Sequence, residues 1–140
     1  MNIIILQGPN LNLLGLKSSS INKNLTLDKL NKEIKSYLNK SKVRFKIEQT
    51  HKEFQAINYL QRNRKWAQGI LFIPTSWARY QYGILETIKI INIPTAIIYF
   101  KGRFSFGTEE KDSIMIGKNI KHFSGNPTTA CIQGLKYLNQ

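Results

Sequence analysis

Short apolar runs alternate along the chain with longer segments in which apolar residues recur every three or four positions. Runs of this length, rich in branched apolar residues, are typical of strands buried on both faces of a parallel sheet. The pattern predicts five strands, at residues 3–6, 43–47, 70–73, 95–100 and, most weakly, 119–123. Because helical segments separate these strands, the chain is expected to form an α/β fold with a parallel sheet.

Three of the helical segments begin with recognisable start signals. Thr26 precedes an apolar stripe of helical spacing and is expected to cap that helix. Thr50 and Glu53 match a capping box, which predicts a helix running toward Trp66. Asn126 is followed by a proline at the first helical position, which predicts a last helix near the end of the chain.

The length and the cysteine count narrow the class of protein. A chain of 140 residues fits one domain, which we place over residues 1–140. With one cysteine, Cys131, and two histidines, neither an internal disulfide nor a structural zinc site is expected, and no metal or cofactor is assigned. The apolar runs are much shorter than the roughly 20 residues that cross a bilayer, and the apolar start is interpreted as a strand and not as a secretion signal. The chain is therefore expected to be cytoplasmic and to have no membrane partner.

The charge of the chain allows two interpretations. Twenty-one Lys and Arg residues against eight Asp and Glu residues give a formal net charge of +13. Clustered cations would bind a phosphate backbone, so nucleic acid is one candidate partner. The lysines are instead spaced along helix-like stretches, as at Lys29, Lys32, Lys35 and Lys40, and the chain is also rich in Asn and Ile, as drift toward AT-rich codons would produce. Solvated helix faces account for such charge better than a nucleic-acid site does.

Four loops are expected to meet at one edge of the sheet. Open parallel sheets bind their ligands at the carboxyl ends of the strands. The loops that follow predicted strands at that edge comprise residues 8–15 with the Lys/Ser/Asn stretch after them, 50–54, 74–82 and 101–112. A binding or catalytic site is expected among these loops.

The first of these loops carries a specific motif. Residues 7–15 read Gln-Gly-Pro-Asn-Leu-Asn-Leu-Leu-Gly, which resembles the amino-terminal signature of the type II 3-dehydroquinate dehydratases. Residues 49–53 stand where that family has Gln-Ser-Asn-His-Glu-Gly, and residues 69–74 resemble its third strand and the Asn-Pro that follows. The resemblance covers nearly the whole chain and implies a flavodoxin-like fold, a five-stranded parallel sheet with helices on both faces. It also implies homo-oligomers, trimers assembled into a dodecamer, and Glu86 occupies the acidic family position that reaches a neighbouring subunit.

The family's chemistry depends on four side chains that this sequence replaces. Its members dehydrate 3-dehydroquinate to 3-dehydroshikimate in the shikimate pathway, through an enolate and without cofactor or metal, using a tyrosinate beside an Arg, an Asn and a His. The resemblance places Asn22 at the Tyr position and Lys17 at the Arg position, while Ile73 replaces the Asn and Arg79 replaces the His. An amide cannot remove a proton, and a guanidinium that stays protonated is a poor acid. The resemblance therefore predicts a divergent homologue that is inactive or very weakly active alone.

Two other hypotheses stay open. In the first, Tyr80 or Tyr82 acts as the base of a rearranged and active dehydratase site, with Arg79 lowering the pKa of the phenol. In the second, which belongs to another class, the chain is a basic RNA-associated structural protein.

The replacements also bring cations to the positions of the family's site, which predicts a pocket for an anionic small molecule. In the family, main-chain N–H groups after the fourth strand hold the substrate carboxylate, and residues 101–103 stand there in this chain. The candidate ligand-binding residues are Asn10, Lys17, Arg79, Lys101, Gly102 and Arg103. Codon drift at a site released from selection would explain the same cations.

Overall fold

A five-stranded, all-parallel sheet forms the centre of the computed structural model, which describes residues 1–21 and 23–140. The strands are β1 (Asn2–Gln7), β2 (Arg44–Gln49), β3 (Gly69–Ile73), β4 (Thr95–Phe100) and β5 (Ile120–Gly125). They lie in the order β2-β1-β3-β4-β5, the strand order of flavodoxin-like folds. The predicted fold class is therefore confirmed, including the weakly predicted last strand.

Within residues 1–21 and 23–140, five helices connect or follow these strands. They are α1 (Leu14–Ser19), α2 (Leu27–Lys40), α3 (Glu53–Arg62), α4 (Tyr82–Ile91) and α5 (Pro127–Leu138). Short 3-10 turns lie in the loops, at Leu11–Leu13, Thr75–Arg79, Gly102–Phe104 and Glu110–Asp112. Over the described residues, no helix has the length and apolar character required to cross a membrane.

The sheet is covered by helices on both faces, as expected. Side chains alternate along β1, so that Ile3 and Ile5 belong to one buried cluster while Ile4 and Leu6 belong to another. The first cluster includes buried residues of α2 and α5, and the second includes buried residues of α3 and α4. The apolar runs of β1, β3 and β4 are therefore strands with almost no solvent-facing side, which explains why they lack a polar alternation. The edge strands β2 and β5 are less buried, and β2 alternates exposed Arg44 and Lys46 with half-buried Phe45 and Ile47.

Two of the predicted helix caps are confirmed. The hydroxyl of Thr26 accepts a hydrogen bond from the Lys29 amide at 3.2 Å, at the start of α2. The side-chain oxygen of Asn126 accepts from the Thr128 amide at 3.1 Å, at the start of α5. These caps satisfy amides that have no partner inside the helix.

The predicted capping box at α3 is wrong. The Thr50 amide still donates to the carbonyl oxygen of Gln7, at 2.9 Å, so this residue belongs to the end of the sheet and cannot start the helix. Its hydroxyl accepts from the Lys52 amide at 3.0 Å, and Lys52 is the cap residue of α3. The helix also ends earlier than expected, at Arg62, where a turn begins that carries the chain to Trp66.

Candidate functional site

The loops after β1 and β3 are in direct contact at the carboxyl edge of the sheet. The strand order reverses between these two strands, which is where open α/β sheets bind ligands. A Cβ atom on Gly8 would lie 2.5 Å from the carbonyl oxygen of Pro74, so a side chain is excluded there. The hydroxyl of Thr75 donates to the carbonyl oxygen of Pro9 at 2.8 Å. Backbone contact between the two loops therefore closes the base of the candidate site.

The loop after β4 constrains Thr75 from a second side. Thr75 is buried and has a φ of 52°, a left-handed conformation that is unfavourable for a β-branched residue. Gly107, with a φ of 77°, packs so closely that a Cβ atom would lie 2.6 Å from the Thr75 backbone. The Thr108 amide donates to the Thr75 carbonyl oxygen at 3.2 Å. Three loops thus form one packed junction, and the surrounding contacts hold a strained residue in place.

Asn10 and His51 connect the loops that follow β1 and β2. The Asn10 amide donates to Nδ1 of His51 at 3.2 Å, so that ring nitrogen accepts and carries no proton in this arrangement. Asn10 itself has a φ of 66°, a conformation that Asn tolerates better than most residues. The backbone amide of this candidate ligand-binding residue is therefore already engaged.

The candidate cations Lys17, Lys101 and Arg103 lie in the segments that follow β1 and β4 at this edge. Lys17 is half-buried on α1, whereas Lys101 and Arg103 are exposed beside Gly102, which has a φ of 72°. The Lys101 amide donates to the carbonyl oxygen of Gly125 at 2.9 Å. This amide is therefore used by the sheet and does not face a ligand.

Arg79 lies at the end of the 3-10 turn after β3 and forms an ion pair. Its Nη2 atom is 3.4 Å from Oδ2 of Asp112, which belongs to the loop after β4. Both side chains are largely solvent-accessible, at 64% and 41%, so the pair contributes little stability. The pair nevertheless places a carboxylate beside the cation that sequence comparison assigns to the site.

The two tyrosines considered as bases are exposed. Tyr80 and Tyr82 are 54% and 67% exposed, just before and at the start of α4. Trp77, an aromatic neighbour in the same loop, is instead buried in the core at 2% exposure.

Two buried phenols, those of Tyr59 and Tyr99, have raised pKa values. Burial raises the pKa of Tyr99 to about 12, although the Ser113 hydroxyl bonded to its phenol at 2.6 Å acts in the opposite direction and nearby Glu110 adds to the rise. Burial, followed by the negative charge of Glu48, also raises the pKa of Tyr59. A proton-abstracting phenol needs a lowered pKa, so these two residues do not fit that role.

Ile73 is a core residue. It is 1% exposed at the end of β3, within the apolar cluster that includes buried residues of α2 and α5, and its carbonyl oxygen accepts from the Gly8 amide at 2.8 Å. Asn22, at the position of the family's base, lies outside the described residues.

Aromatic residues of the loop after β4 fold inward. Phe106 stacks on Phe100 with ring centroids 6.4 Å apart, and the two residues form an isolated antiparallel bridge. Phe104 packs against the same apolar cluster. These side chains occupy the loop's inner surface, where they add apolar packing to the candidate site.

A polar network that the sequence did not reveal fixes this loop to β5. The Ser124 hydroxyl donates to Oε1 of Glu110 at 2.7 Å, and Nδ1 of His122 lies 3.7 Å from Oε2 of the same carboxylate. Nε2 of His122 is 2.5 Å from the carbonyl oxygen of Met115. No spacing motif marks these residues, because the loop brings together positions up to 14 residues apart.

The described part of the chain offers no arrangement of side chains suited to a metal ion. Among residues 1–21 and 23–140, no group of three or more His, Cys, Asp or Glu side chains is arranged to hold a metal ion. Cys131 is fully buried, and burial raises the pKa of its thiol, so it is a core residue and not a nucleophile.

The fold and the position of its loops define a flavodoxin-like α/β protein whose candidate site lies at the carboxyl edge of the sheet. The family model described as Dehydroquinase class II matches residues 1–126, and the chain belongs to that family. This confirms the resemblance seen in the amino-terminal motif.

Similar proteins agree over almost the full length of the chain. A 3-dehydroquinate dehydratase of Pelotomaculum thermopropionicum is 26% identical over 136 residues, covering 97% of this chain and 94% of that protein. A 3-dehydroquinate dehydratase of Clostridium botulinum strain Loch Maree is 26% identical over 137 residues, covering 98% and 93%. The crystal structure of the type II dehydroquinase from Butyrivibrio crossotus superposes with a TM-score of 0.85 at 21% identity, covering 100% of this chain and 98% of that one. The structural likeness supports the shared fold.

Proposed function

We propose that this chain is a non-catalytic homologue of type II 3-dehydroquinate dehydratase that keeps the fold and self-assembly of its family. The proposal rests on the absence of a tyrosine that could act as the base, because the family reaction begins with proton removal by a phenolate. The sequence has Asn22 at the position of that residue, and an amide has no basic lone pair for this step.

Buried tyrosines do not replace the base. The raised pKa values of Tyr59 and Tyr99 mean that their phenolates form less readily than a free tyrosine would near neutral pH. Both are almost inaccessible, at 5% and 3% exposure, and Tyr99 already donates its proton to Ser113. Neither phenol is therefore available to a substrate carbon.

The exposed tyrosines Tyr80 and Tyr82 would need a cation beside the phenol to act as bases. Arg79 would have to sit beside Tyr80 or Tyr82 to stabilise a phenolate, but its guanidinium pairs with Asp112. Loss of a general base alone costs about two to four orders of magnitude in rate. Because the roles of a catalytic unit depend on one another, losing several leaves little beyond binding.

The exposed face of α4 supports assembly into a homo-oligomer. Tyr82, Glu86 and Ile90 recur every four residues and so share one side of the helix. Tyr82 and Ile90 are 67% and 74% exposed, and with Leu85 and Lys89 these residues line a shallow groove of about 470 Å³. A trimer, and a dodecamer built from it, would cover this face. Ile90→Lys is expected to shift the chain to a smaller species in light scattering. Ile116→Lys serves as the control, because Ile116 is similarly exposed, at 67%, and lies outside α4.

An anionic small molecule remains the ligand that the carboxyl edge suits. Lys17, Lys101 and Arg103 contribute positive charge there, while Asp112 partly neutralises Arg79. A dehydroquinate-like carboxylate at millimolar concentration is expected to raise the melting temperature if these cations bind it.

Turnover of 3-dehydroquinate tests the proposal directly. The assay follows the conjugated enone absorbance of the product with protein at high micromolar concentration, after gel filtration has shown a folded sample. The expected trace stays at the uncatalysed rate. Activity that co-elutes with the protein across the column would overturn the proposal.

A second candidate function is an active dehydratase with a rearranged site. It is favoured by the match of nearly the whole chain to curated 3-dehydroquinate dehydratases. In that case Tyr80→Phe or Tyr82→Phe should abolish turnover and leave the assembly intact. A double variant that turns over as fast as the original chain would exclude both tyrosines as the base.

A further inference from the structure

Cations of this chain gather at one corner of the sheet's amino edge, opposite the loops of the candidate site. The end of α2, the start of β2 and the turn after α3 all lie at this edge beside the outer strands, with α2 on one face of the sheet and α3 on the other. Six exposed cations lie on these segments and define what we call the basic corner: Lys40, Lys42, Arg44, Arg62, Arg64 and Lys65. Residues 34–47 and 54–85 contain no Asp or Glu, so neither segment supplies a carboxylate to this corner.

Hydrogen bonds between strand starts hold these segments against each other. The Arg44 amide donates to the carbonyl oxygen of Met1 at 3.0 Å. The side-chain amide of Asn2 donates to the carbonyl oxygen of Trp66, also at 3.0 Å. Because β1 lies between β2 and β3, the turn that leads into β3 is fixed beside the beginning of β2.

Neutral partners orient the cations of β2 without cancelling their charge. Nζ of Lys46 lies 4.4 Å from the centroid of the Trp66 ring and donates to Oδ1 of Asn63 at 3.0 Å. The Arg44 guanidinium lies 5.9 Å from the same ring centroid. Cation–π contacts and an amide hydrogen bond position these groups, and both leave a full positive charge for an anion to bind.

Lys42 places a further cation at a position that favours glycine. Its φ is 57°, and the following amide, of Val43, donates to the carbonyl oxygen of Leu38 at 3.0 Å, the pattern that ends many helices. A left-handed residue with a Cβ atom is strained where glycine is not. The chain thus has a charged residue where backbone geometry alone would select glycine.

We infer that the basic corner binds the phosphate backbone of double-stranded nucleic acid without reading its base sequence. Cations that are distributed over helix ends and the start of a strand can contact successive phosphates along a duplex backbone. The exposed aromatic residues Phe54, Tyr80 and Tyr82 lie near the starts of α3 and α4, at the carboxyl edge. They therefore supply no stacking platform at the corner for single-stranded bases. The aromatic residue of the corner, Trp66, is half-buried, and its ring is engaged by Lys46 and Arg44.

Fluorescence anisotropy with a labelled 20-base-pair duplex DNA tests the inference. The corner variant carries Lys40→Gln, Arg62→Gln and Lys65→Gln. Its matched control carries Lys29→Gln, Lys52→Gln and Lys111→Gln, three exposed lysines from the other edge with the same total charge change. The logarithm of the association constant is plotted against the logarithm of salt concentration for each protein.

The corner variant should bind at least tenfold more weakly at 100 mM salt, with a salt slope smaller by about 2 to 3, since each phosphate contact contributes about 0.9. The control should stay within twofold of the original chain. Equal losses in both variants would show diffuse attraction by net charge and overturn the inference, as would the absence of salt-dependent binding by the original chain at 50 mM salt. Displacement of the duplex by polyglutamate as readily as by unlabelled duplex would assign the surface to acidic proteins instead.

Lys42→Gly provides a second test of the same inference if the triple variant fails to fold. This change relieves the left-handed strain and removes one charge, so the melting temperature should rise while duplex affinity falls several-fold. Asn92→Gly is the matched control, because Asn92 has a φ of 54° at the end of α4 and the change leaves the charge unaltered. Unchanged affinity and salt slope in Lys42→Gly would remove this corner from the interface.

Discussion

The two edges of the sheet differ in what surrounds their cations. At the carboxyl edge, Arg79 lies 3.4 Å from a carboxylate oxygen of Asp112, and Lys111 lies 3.6 Å from one of Glu109. At the amino edge, Lys46 contacts the neutral Trp66 ring. A net charge of +13 describes both edges equally and therefore predicts neither. The position of the few carboxylates decides which edge attracts a polyanion.

The edges differ in backbone packing as well. Three loops close on one another at the carboxyl edge, around Thr75, with Gly8 and Gly107 at separations that exclude a side chain. The corresponding surface at the amino edge consists of helix ends and exposed side chains. The amino edge is therefore more accessible to a large partner, because its charged side chains extend from the backbone into solvent.

The largest expected effect tests whether the carboxyl edge is a tightly packed junction. Gly107→Ala should lower the free energy of unfolding by about 2 to 4 kcal/mol, because the new Cβ atom would clash with Thr75 and the residue would keep a left-handed φ. Gly102→Ala is the control, since its φ is also positive but no atom lies within 4 Å of the added carbon. It should cost ~1 kcal/mol. Urea unfolding measures both, and equal losses would contradict the packing argument.

A smaller effect concerns the burial of Tyr99 beneath the loop after β4. Its folded-state pKa of about 12 lies above the ordinary value near 10, so folding favours the neutral phenol. This stabilisation is complete below pH 10 and is lost as the pH rises toward 12, a decline of roughly 2 kcal/mol. Tyr99→Phe should therefore flatten the fall in the free energy of unfolding over this pH range.

Tyr82→Phe provides the comparison for this pH series, because Tyr82 is 67% exposed. Above pH 10, the unfolding free energy should fall less steeply in Tyr99→Phe than in Tyr82→Phe. If the two variants fall equally, the loop does not seal Tyr99 from water and the contrast between the edges weakens.

The smallest effect on stability concerns the ion pair at the candidate site. Asp112→Asn should change the free energy of unfolding by less than about 0.5 kcal/mol, because both partners are exposed. It frees Arg79, so millimolar phosphate should raise the melting temperature more than in the original chain. Glu33→Gln, an exposed change of equal charge on α2, is the control. The same phosphate response in both variants would mean that Asp112 does not shield the site.

Local sequence patterns predicted helix caps correctly where only the first turn of the helix decides which residue is the cap. Thr26 and Asn126 cap their helices, because a cap depends on residues two or three positions away. Thr50 failed as a cap, although its spacing to Glu53 is right, because β1 holds its amide through the distant Gln7. Sequence spacing does not report that competition.

The candidate site was predicted less completely than the fold. The motif at residues 7–15 predicted a site at the carboxyl edge of the sheet, and the replacement of the family's catalytic side chains is visible without a structure. The partner of Arg79 was not visible, since Asp112 lies 33 residues further along the chain. The role of Glu110 in fixing the same loop to β5 was hidden for the same reason.

By itself, the sequence determined the family, the order of strands and helices, and the chemical identity of the side chains available for reaction. These properties follow from residue types and from their spacing over one or two turns or strands. Only the tertiary structure decided which charges neutralise one another and which stand together. Lysines and arginines from separate elements, such as Lys40, Arg44 and Arg62, lie at the same edge of the sheet because parallel crossovers return each helix end to that edge.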